Sequence, residues 1–362
     1  MKWGDLGHLG RLVTPAGATE SIPVQPTPHP ASPYQASPTA AETPVPSRTL
    51  GDSAIDVFPI ALGTSVFGWT VDRGMSLRIL DRFHAAGGNL IDTADNYAAG
   101  QSEVMIGNWM RFRNTRDAVR VATKVGRGSD YPGLSRSGII AAVDASLERL
   151  RTDRIDVLYF HLDDETTPLE ESLSAAGELI AAGKVLSLGA SNFRAHRLME
   201  ARVLTAYGLP RFESIQEHYN LMRRTEVEGD IALVAQAQGL SLLPHFALAH
   251  GFLAGEYRRR ADGIGNARRA RAGQYLNRRG MRVLSVLDRV AAQQGVSNAQ
   301  IALAWLHAKP GVTAPVVSAD SLQHVDEMMA APRVALTPGQ LEELDRVSAV
   351  TRTTARDARP AP

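Results

Sequence analysis

Eight short, continuously apolar runs mark the chain between residues 57 and 318. They are VFPIALG (57–63), NLID (89–92), VRVATK (119–124), IDVLYFH (155–161), VLSLGAS (185–191), FESIQ (212–216), LSLLPHF (240–246) and TAPVVS (313–318). Runs without polar alternation suit strands covered on both faces, as in a parallel sheet flanked by helices. Between most of them apolar residues recur at i, i+3, i+4 and i+7, the period of a helix with one buried stripe. Ile79, Leu80, Phe83 and Ala86 form one such stripe, closed by Gly87. Ile139, Ile140, Val143, Leu147 and Leu150 form another, and Leu169, Leu173, Ala176 and Ile180 a third, stopped by Gly183. A glycine after the last periodic residue can take the left-handed turn that ends a helix. Ser297 with Gln300, and Thr337 with Pro338 and Gln340, read as capping boxes at the starts of two late helices. Eight strands alternating with helices over about 300 residues predict an α/β fold, the (β/α)8 TIM barrel. A doubly wound sheet is the alternative, but its first strand–helix turn needs G-x-G-x-x-G, and LGTSVFGW lacks that pattern.

The pattern is absent at both ends. Residues 1–46 include IPVQPTPHPASPYQASPTAAETPVPS, rich in Pro, Ala, Ser and Thr. This composition predicts a disordered extension, a linker or a stretch read from an upstream start codon. The barrel is expected over 47–349 and a flexible tail over 350–362. A formal net charge of +1 gives no reason to expect a polyanionic partner, and no basic stripe interleaved with aromatics points to nucleic acid. The absence of cysteine excludes disulfides, thiolate metal sites and cysteine nucleophiles. No apolar run is long enough for a membrane span and no signal-peptide core opens the chain, so a cytoplasmic protein is expected. The histidines show no metal-ligand spacing, and no metal is expected.

Four polar residues sit at or just beyond strand ends: Asp92, Tyr97, Lys124 and His161. The runs ending at 92, 124 and 161 are spaced by 32 and 37 residues, the length of one strand plus one helix, so these groups should share one end of the barrel. Lys124 is one of only four lysines against thirty-five arginines. A nearby ammonium lowers a tyrosine's pKa, and an aspartate offsets the burial of that ammonium. The expected result is a Tyr97 that exchanges a proton near neutral pH, beside a His161 that positions a substrate oxygen. Such a set suits interconversion of a carbonyl and an alcohol, with hydride from a nicotinamide cofactor. The neighbouring acids Asp163 and Asp164 read as a solvated loop, and Arg258-Arg259-Arg260 as an exposed loop start with phosphate contact as the alternative.

From about residue 48 to 348 the chain resembles the aldo-keto reductases. LGTSVFG (62–68), NLIDTADNYAAGQSE (89–103), ATKVG (122–126), LGASNF (188–193), SIQEHYNL (214–221) and GFLAGEY (251–257) carry the likeness, in family order. H-x-D-D-x-x-T-P at 161–168 is similar to that of a bacterial branch. The resemblance implies Tyr97 as general acid, tuned by Lys124 and Asp92, with His161 orienting the carbonyl of a small-molecule substrate. It implies Ser191, Asn192 and Gln216 at the nicotinamide carboxamide, and Gly63 and Thr64 near the reacting ring. His245 stands where the family commonly stacks an aromatic on the nicotinamide. The segment Phe246 to Gly251, with Leu248, would pass the pyrophosphate, and Ser318, His324 and Glu327 would lie toward the adenosine phosphate. Met328 replaces a frequent asparagine there, and no Lys or Arg occupies that stretch. NADPH is the implied cofactor, with NADH open, and a monomer or weak homo-oligomer is expected. The alternative is a cofactor-binding regulatory subunit with little turnover, like barrel proteins resembling potassium-channel β subunits.

Overall fold

Every one of the eight runs contributes a strand to one parallel sheet. The computed structural model describes residues 45–259, 262 and 267–349. The expected loose segments lie outside these residues, except for 45 and 46. The strands are β1 (Arg48–Thr49), β2 (Asp56–Val57), β3 (Ala61–Gly63), β4 (Leu90–Asp92), β5 (Arg120–Val125), β6 (Ile155–Phe160), β7 (Val185–Ser191), β8 (Ser214–Gln216), β9 (Ser241–Leu242) and β10 (Val316–Val317). The helices are α1 (Arg73–Ala85), α2 (Gln101–Arg113), α3 (Arg136–Leu150), α4 (Leu169–Ala181), α5 (Ala195–Leu204), α6 (Asp230–Gln238), α7 (Ala267–Ala272), α8 (Arg278–Gln294), α9 (Asn298–His307), α10 (Leu322–Ala330) and α11 (Pro338–Ser348).

Strand order is β10-β3-β4-β5-β6-β7-β8-β9, every pair parallel. The last strand in sequence, β10, thus pairs with β3, the first to enter this sheet, and β9 and β10 stand at its two ends, with helices on the outer face. Backbone hydrogen bonds also link the two outermost segments. Leu242 N–H donates to Gly311 O at 2.8 Å, Thr313 N–H to Leu242 O at 2.9 Å, and Val316 N–H to Pro244 O at 2.8 Å.

The run at 57–63 is corrected: it is not one strand. Pro59 has no N–H to donate and fixes its φ, and the run divides around it. Asp56–Val57 pairs antiparallel with Arg48–Thr49 in a hairpin, whereas Ala61–Gly63 enters the sheet. The hairpin is tied to the strand starts: Gly51 N–H donates to Ser241 Oγ at 2.9 Å and Arg48 Nη1 to Val312 O at 2.6 Å. Its Leu50, Ile55 and Val57 pack with Ala61, Leu90, Ala122, Val157, Tyr159, Leu243 and Val316 on the inner face of the curled sheet. Each such apolar side chain contributes roughly 1.5–3 kcal/mol on burial. The hairpin therefore fills the N-terminal end and leaves the C-terminal end for chemistry. The larger core lies between sheet and helices.

The helix ends follow the sequence. Gly87 (φ +90) and Gly183 (φ +72) take the left-handed conformation after α1 and α4. Both capping boxes form, Ser297 with Gln300 and Thr337 with Gln340.

Candidate active site

Parallel strands place all their C-terminal ends on one side, and the expected residues gather there. Asp92 closes β4, Lys124 is the penultimate residue of β5, His161 follows β6, Ser191 closes β7 and Gln216 closes β8. Tyr97 stands in the turn between β4 and α2.

Lys124 is the hub. Its Nζ donates to Asp92 Oδ2 at 2.7 Å and to Thr93 O at 2.9 Å, and lies 3.5 Å from the Tyr97 hydroxyl. The Lys124 and Asp92 side chains are 1% and 4% exposed. A pair so buried persists only where its remaining polar atoms are also satisfied. Gln216 Nε2 supplies the other half, donating to Asp92 Oδ1 at 2.8 Å. Thr64 braces the same strand end: its hydroxyl donates to Asp92 O at 2.9 Å and accepts from Ser102 Oγ at 2.8 Å. The Tyr97 and His161 rings meet edge to face at 6.1 Å.

The electrostatics amend one expectation. Burial pushes the Tyr97 phenol above its usual pKa, and Lys124 only partly pulls it back. The ammonium lies at the limit of hydrogen-bond range, so desolvation of the phenolate wins. Tyr97 accordingly holds its proton as a donor at neutral pH. Burial alone would discharge Lys124, but Asp92 and then Tyr97 outweigh it and raise its pKa. Burial, reinforced by Lys124 and Arg127, lowers His161 to about 2. This imidazole is neutral, and its buried Nδ1 has no hydrogen-bond partner.

Ser191 and Asn192 do not cap the following helix, whose N-cap position belongs to Arg194. Ser191 Oγ donates to Gln216 O at 2.9 Å, and Asn192 Nδ2 donates to His161 O and Ser191 Oγ at 3.0 Å. Asn192 is left-handed (φ +58), a conformation its short polar side chain tolerates. Glu217, which the sequence did not single out, is buried and accepts from Phe193 N–H at 3.1 Å. Burial pushes its carboxyl up to about 7, against backbone N–H groups that favour the charge. The signal was available: a carboxylate directly following an apolar strand.

At the far side of the mouth, Phe246, Ala249, His250 and Gly251 have φ of +52, +50, +59 and +91, and Leu248 sits among them. Non-glycine residues held there cluster at ligand clamps, where surrounding structure over-determines them. Phe246 stacks near His250 (4.3 Å), His245 (4.7 Å) and His218 (4.9 Å). His245 Nε2 and His218 Nε2 are buried without partners. A Cβ on Gly63 would stand 3.0 Å from Val316 Cγ1 and 3.1 Å from Ser318 Oγ, so glycine lets β3 pack closely on β10 at this edge. Buried unpaired imidazole atoms, a glycine edge and a strained turn fit a polar, flat ligand lying across the strand ends.

Toward β10 the picture changes. Ser318 follows the strand. His324 Nδ1 contacts Asp320 Oδ1 at 2.7 Å and its Nε2 contacts Glu256 Oε1 at 3.5 Å. Glu327 accepts from Ser297 Oγ at 3.2 Å and from Gln323 Nε2 at 2.9 Å.

The acidic pair is also corrected. Asp163 is paired with Arg197 Nε at 3.0 and 3.1 Å, both side chains mostly buried. Asp164 accepts from Leu134 N–H, Thr166 and Thr167, which staples the β5–α3 loop to the β6–α4 loop. These acids are structural ties: Asp163 binds the loop to α5, and Asp164 closes its own turn and holds Leu134 across it. Arg258 pairs with Asp288 at 2.6 Å and Arg259 approaches Asp262 at 3.7 Å. Arg260 lies outside the described residues. Among the described residues no group of three or more His, Asp or Glu is placed to hold a metal ion, and no helix is long and apolar enough to cross a membrane.

Comparison with known proteins agrees with this geometry. A model of the Aldo/keto reductase family matches residues 59–349. The chain is 31% identical over 329 residues to norsolorinic acid reductase B of Dothistroma septosporum, covering 85% of this chain and 82% of that one. It is 33% identical over 312 residues to norsolorinic acid reductase B of Aspergillus parasiticus, covering 81% of each. It is 33% identical over 322 residues to the aldo-keto reductase ausK of Aspergillus calidoustus, covering 83% and 81%. With its eight strand ends, its buried Asp92–Lys124 pair and a matched span that takes in most of its length, the chain belongs to the aldo/keto reductase family.

Proposed function

We propose that the chain reduces an aldehyde or ketone to an alcohol, reversibly, with Tyr97 as the proton donor and a nicotinamide dinucleotide as the hydride source. What carries the reading is the bridge from Lys124 to Asp92, Thr93 O and the Tyr97 hydroxyl. Reductase names among its relatives support the same reaction. The dinucleotide, when bound, supplies the hydride to the carbonyl carbon. Tyr97 gives its proton to the carbonyl oxygen, and the charge of Lys124 stabilises the phenolate left behind. Asp92, fixed by Gln216, keeps Lys124 charged. Neutral His161, with its spare ring nitrogen, aligns the oxygen with the phenol. In oxidation the same groups run in reverse.

Ser191, Asn192 and Gln216 would hold the carboxamide end, with Gly63, Thr64, His245 and Phe246 about the ring. Leu248 and Gly251 would lie along the pyrophosphate, and Ser318, His324 and Glu327 toward the adenosine. The resemblance favours NADPH. The acids around His324 favour a second reading, NADH, since Asp320 and Glu256 already claim that imidazole's charge. The bent H-x-D-D-x-x-T-P turn, with Asp163 and Asp164 both engaged, supports placement in the branch that carries it. The (β/α)8 barrel is read as closed, on the strength of the bonds from Leu242, Thr313 and Val316. The protein is read as a cytoplasmic monomer or weak homo-oligomer.

Titrating the protein with NADPH and NADH, followed by tryptophan fluorescence, tests the cofactor. Tyr97→Phe tests the chemistry: turnover should fall roughly 10²–10⁴-fold while dinucleotide affinity is kept. Unchanged turnover in that variant would mean that the proton comes from elsewhere, and absence of turnover in the parent would favour a regulatory subunit.

A further inference from the structure

One arginine on a loop at the catalytic end has no partner among the described residues. Arg127 lies two residues beyond β5, on the loop between Lys124 and α3. It is exposed, and its guanidinium enters neither an ion pair nor a hydrogen bond among the described residues. Other arginines on the loops at this end are occupied: Arg194 by Glu165, Arg223 by Glu226 and Arg258 by Asp288.

The loop that carries Arg127 is held between the Tyr97 turn and His161. On one side Asp95 N–H donates to Lys124 O at 3.0 Å, and Gly128 passes so close to Asp95 that a Cβ would stand 2.8 Å from Oδ2. Asp95 is two residues from Tyr97. On the other side His161 N–H donates to Val125 O at 3.0 Å. The loop's far end is closed by Gly133 N–H to Gly126 O at 3.0 Å and Leu134 N–H to Asp164 Oδ2 at 2.9 Å. The backbone that carries Arg127 is thus held between the Tyr97 turn and His161, and its charge is felt by both. A charge near a buried imidazole disfavours its protonation, and an exposed guanidinium with no partner among the described residues is available to an anion arriving at this end.

We propose that Arg127 recognises an ionised acid group on the substrate, so that the physiological substrate is a carbonyl compound bearing a carboxylate or similar anion. This rests on the reductase reading for the carbonyl, and on the placement of Arg127 for the acid. Guanidinium suits the role because its planar fork takes a carboxylate through two parallel hydrogen bonds. Trp69, Tyr131, Leu162 and Phe246, four of the large exposed apolar side chains, stand on the loops after β3, β5, β6 and β9. All four loops lie at this end of the sheet, which makes aromatic aldehydes suitable probes.

The test compares 4-carboxybenzaldehyde with methyl 4-formylbenzoate, in the parent protein, Arg127→Met and Arg127→Lys, alongside a titration with terephthalate followed by tryptophan fluorescence. The parent should favour the acid by at least about tenfold in kcat/KM, the worth of a modest charge-assisted contact. In Arg127→Met that ratio should fall to near one, mainly through KM for the acid, with Arg127→Lys between. Terephthalate should bind the parent and lose affinity about tenfold in Arg127→Met. Equal loss on both aldehydes, or no preference in the parent, would overturn the inference and leave Arg127 as a modulator of Tyr97 and His161. If neither aldehyde is turned over, the terephthalate titration decides alone: a difference upholds Arg127 as an anion site while the reductase reading fails, and equal binding overturns it.

Discussion

Lys124 carries more of the site than any other residue, and its neighbours explain why arginine would not serve. A compact ammonium reaches a carboxylate, a backbone carbonyl and a phenol at once, whereas a planar guanidinium spreads its donors in one fork. Replacing it with methionine should abolish most turnover and also destabilise the fold. Asp92 would be left buried with only Gln216 beside it, a defect that costs about 3–5 kcal/mol. Urea denaturation monitored by circular dichroism measures the second effect independently of the first. A Lys124→Met protein as stable as the parent would mean that Asp92 is protonated or hydrated in the fold. The four catalytic candidates were legible from residue type and strand spacing. The direction of Tyr97's shift was not, because it depends on a 3.5 Å separation and on how much water reaches the phenol.

Among the elements, strand runs and helix ends were legible because their determinants are local: apolar continuity, a glycine at the stop, a capping side chain at the start. Close approach between elements was not. Gly107, inside α2, lies against the end of α3, where a Cβ would come within 2.5–2.6 Å of the backbone of Arg149 and Leu150. Backbone cannot swing aside as a side chain can, so Gly107→Ala should push the two helices apart and cost roughly 1–3 kcal/mol. That would appear as a lower Tm, although alanine is the better helix former. An unchanged or raised Tm would show that α2 and α3 shift freely. The same logic divides the first apolar run. Pro59 was visible in the sequence, but the partner that captures Val57 is Arg48, and that pairing is a tertiary choice.

For the molecule as a whole, the buried titratable groups set a pH dependence. His161, His218 and His307 are lowered to about 2, 4 and 3, and His245 lies well below the ordinary histidine value, burial leading in each case. Each stays neutral in the fold but takes up a proton below about 6.5 once unfolded. The unfolded chain therefore binds more protons, and stability falls as pH drops from about 6.5 toward 4. Asp95 and Glu217, raised to about 6 and about 7, and His324, raised by its hydrogen bond to Asp320, act in the opposite sense by keeping protons in the fold that the unfolded chain releases. The four lowered histidines outweigh these three, so Tm should be lower at pH 5 than at pH 7. A Tm that rises on acidification would mean that the imidazoles are more hydrated than their burial implies. By itself the sequence determined the alternation of strands and helices, the helix caps, and the residue types at the strand ends, since periodicity and local hydrogen bonding are written along the chain. Only the tertiary structure decided which atoms meet. Gln216 turns to Asp92, Asp163 to Arg197 and His324 to Asp320, while Arg127 has no partner among the described residues. Such pairings depend on distances between residues far apart in sequence, and those distances are set by how the helices pack around the sheet.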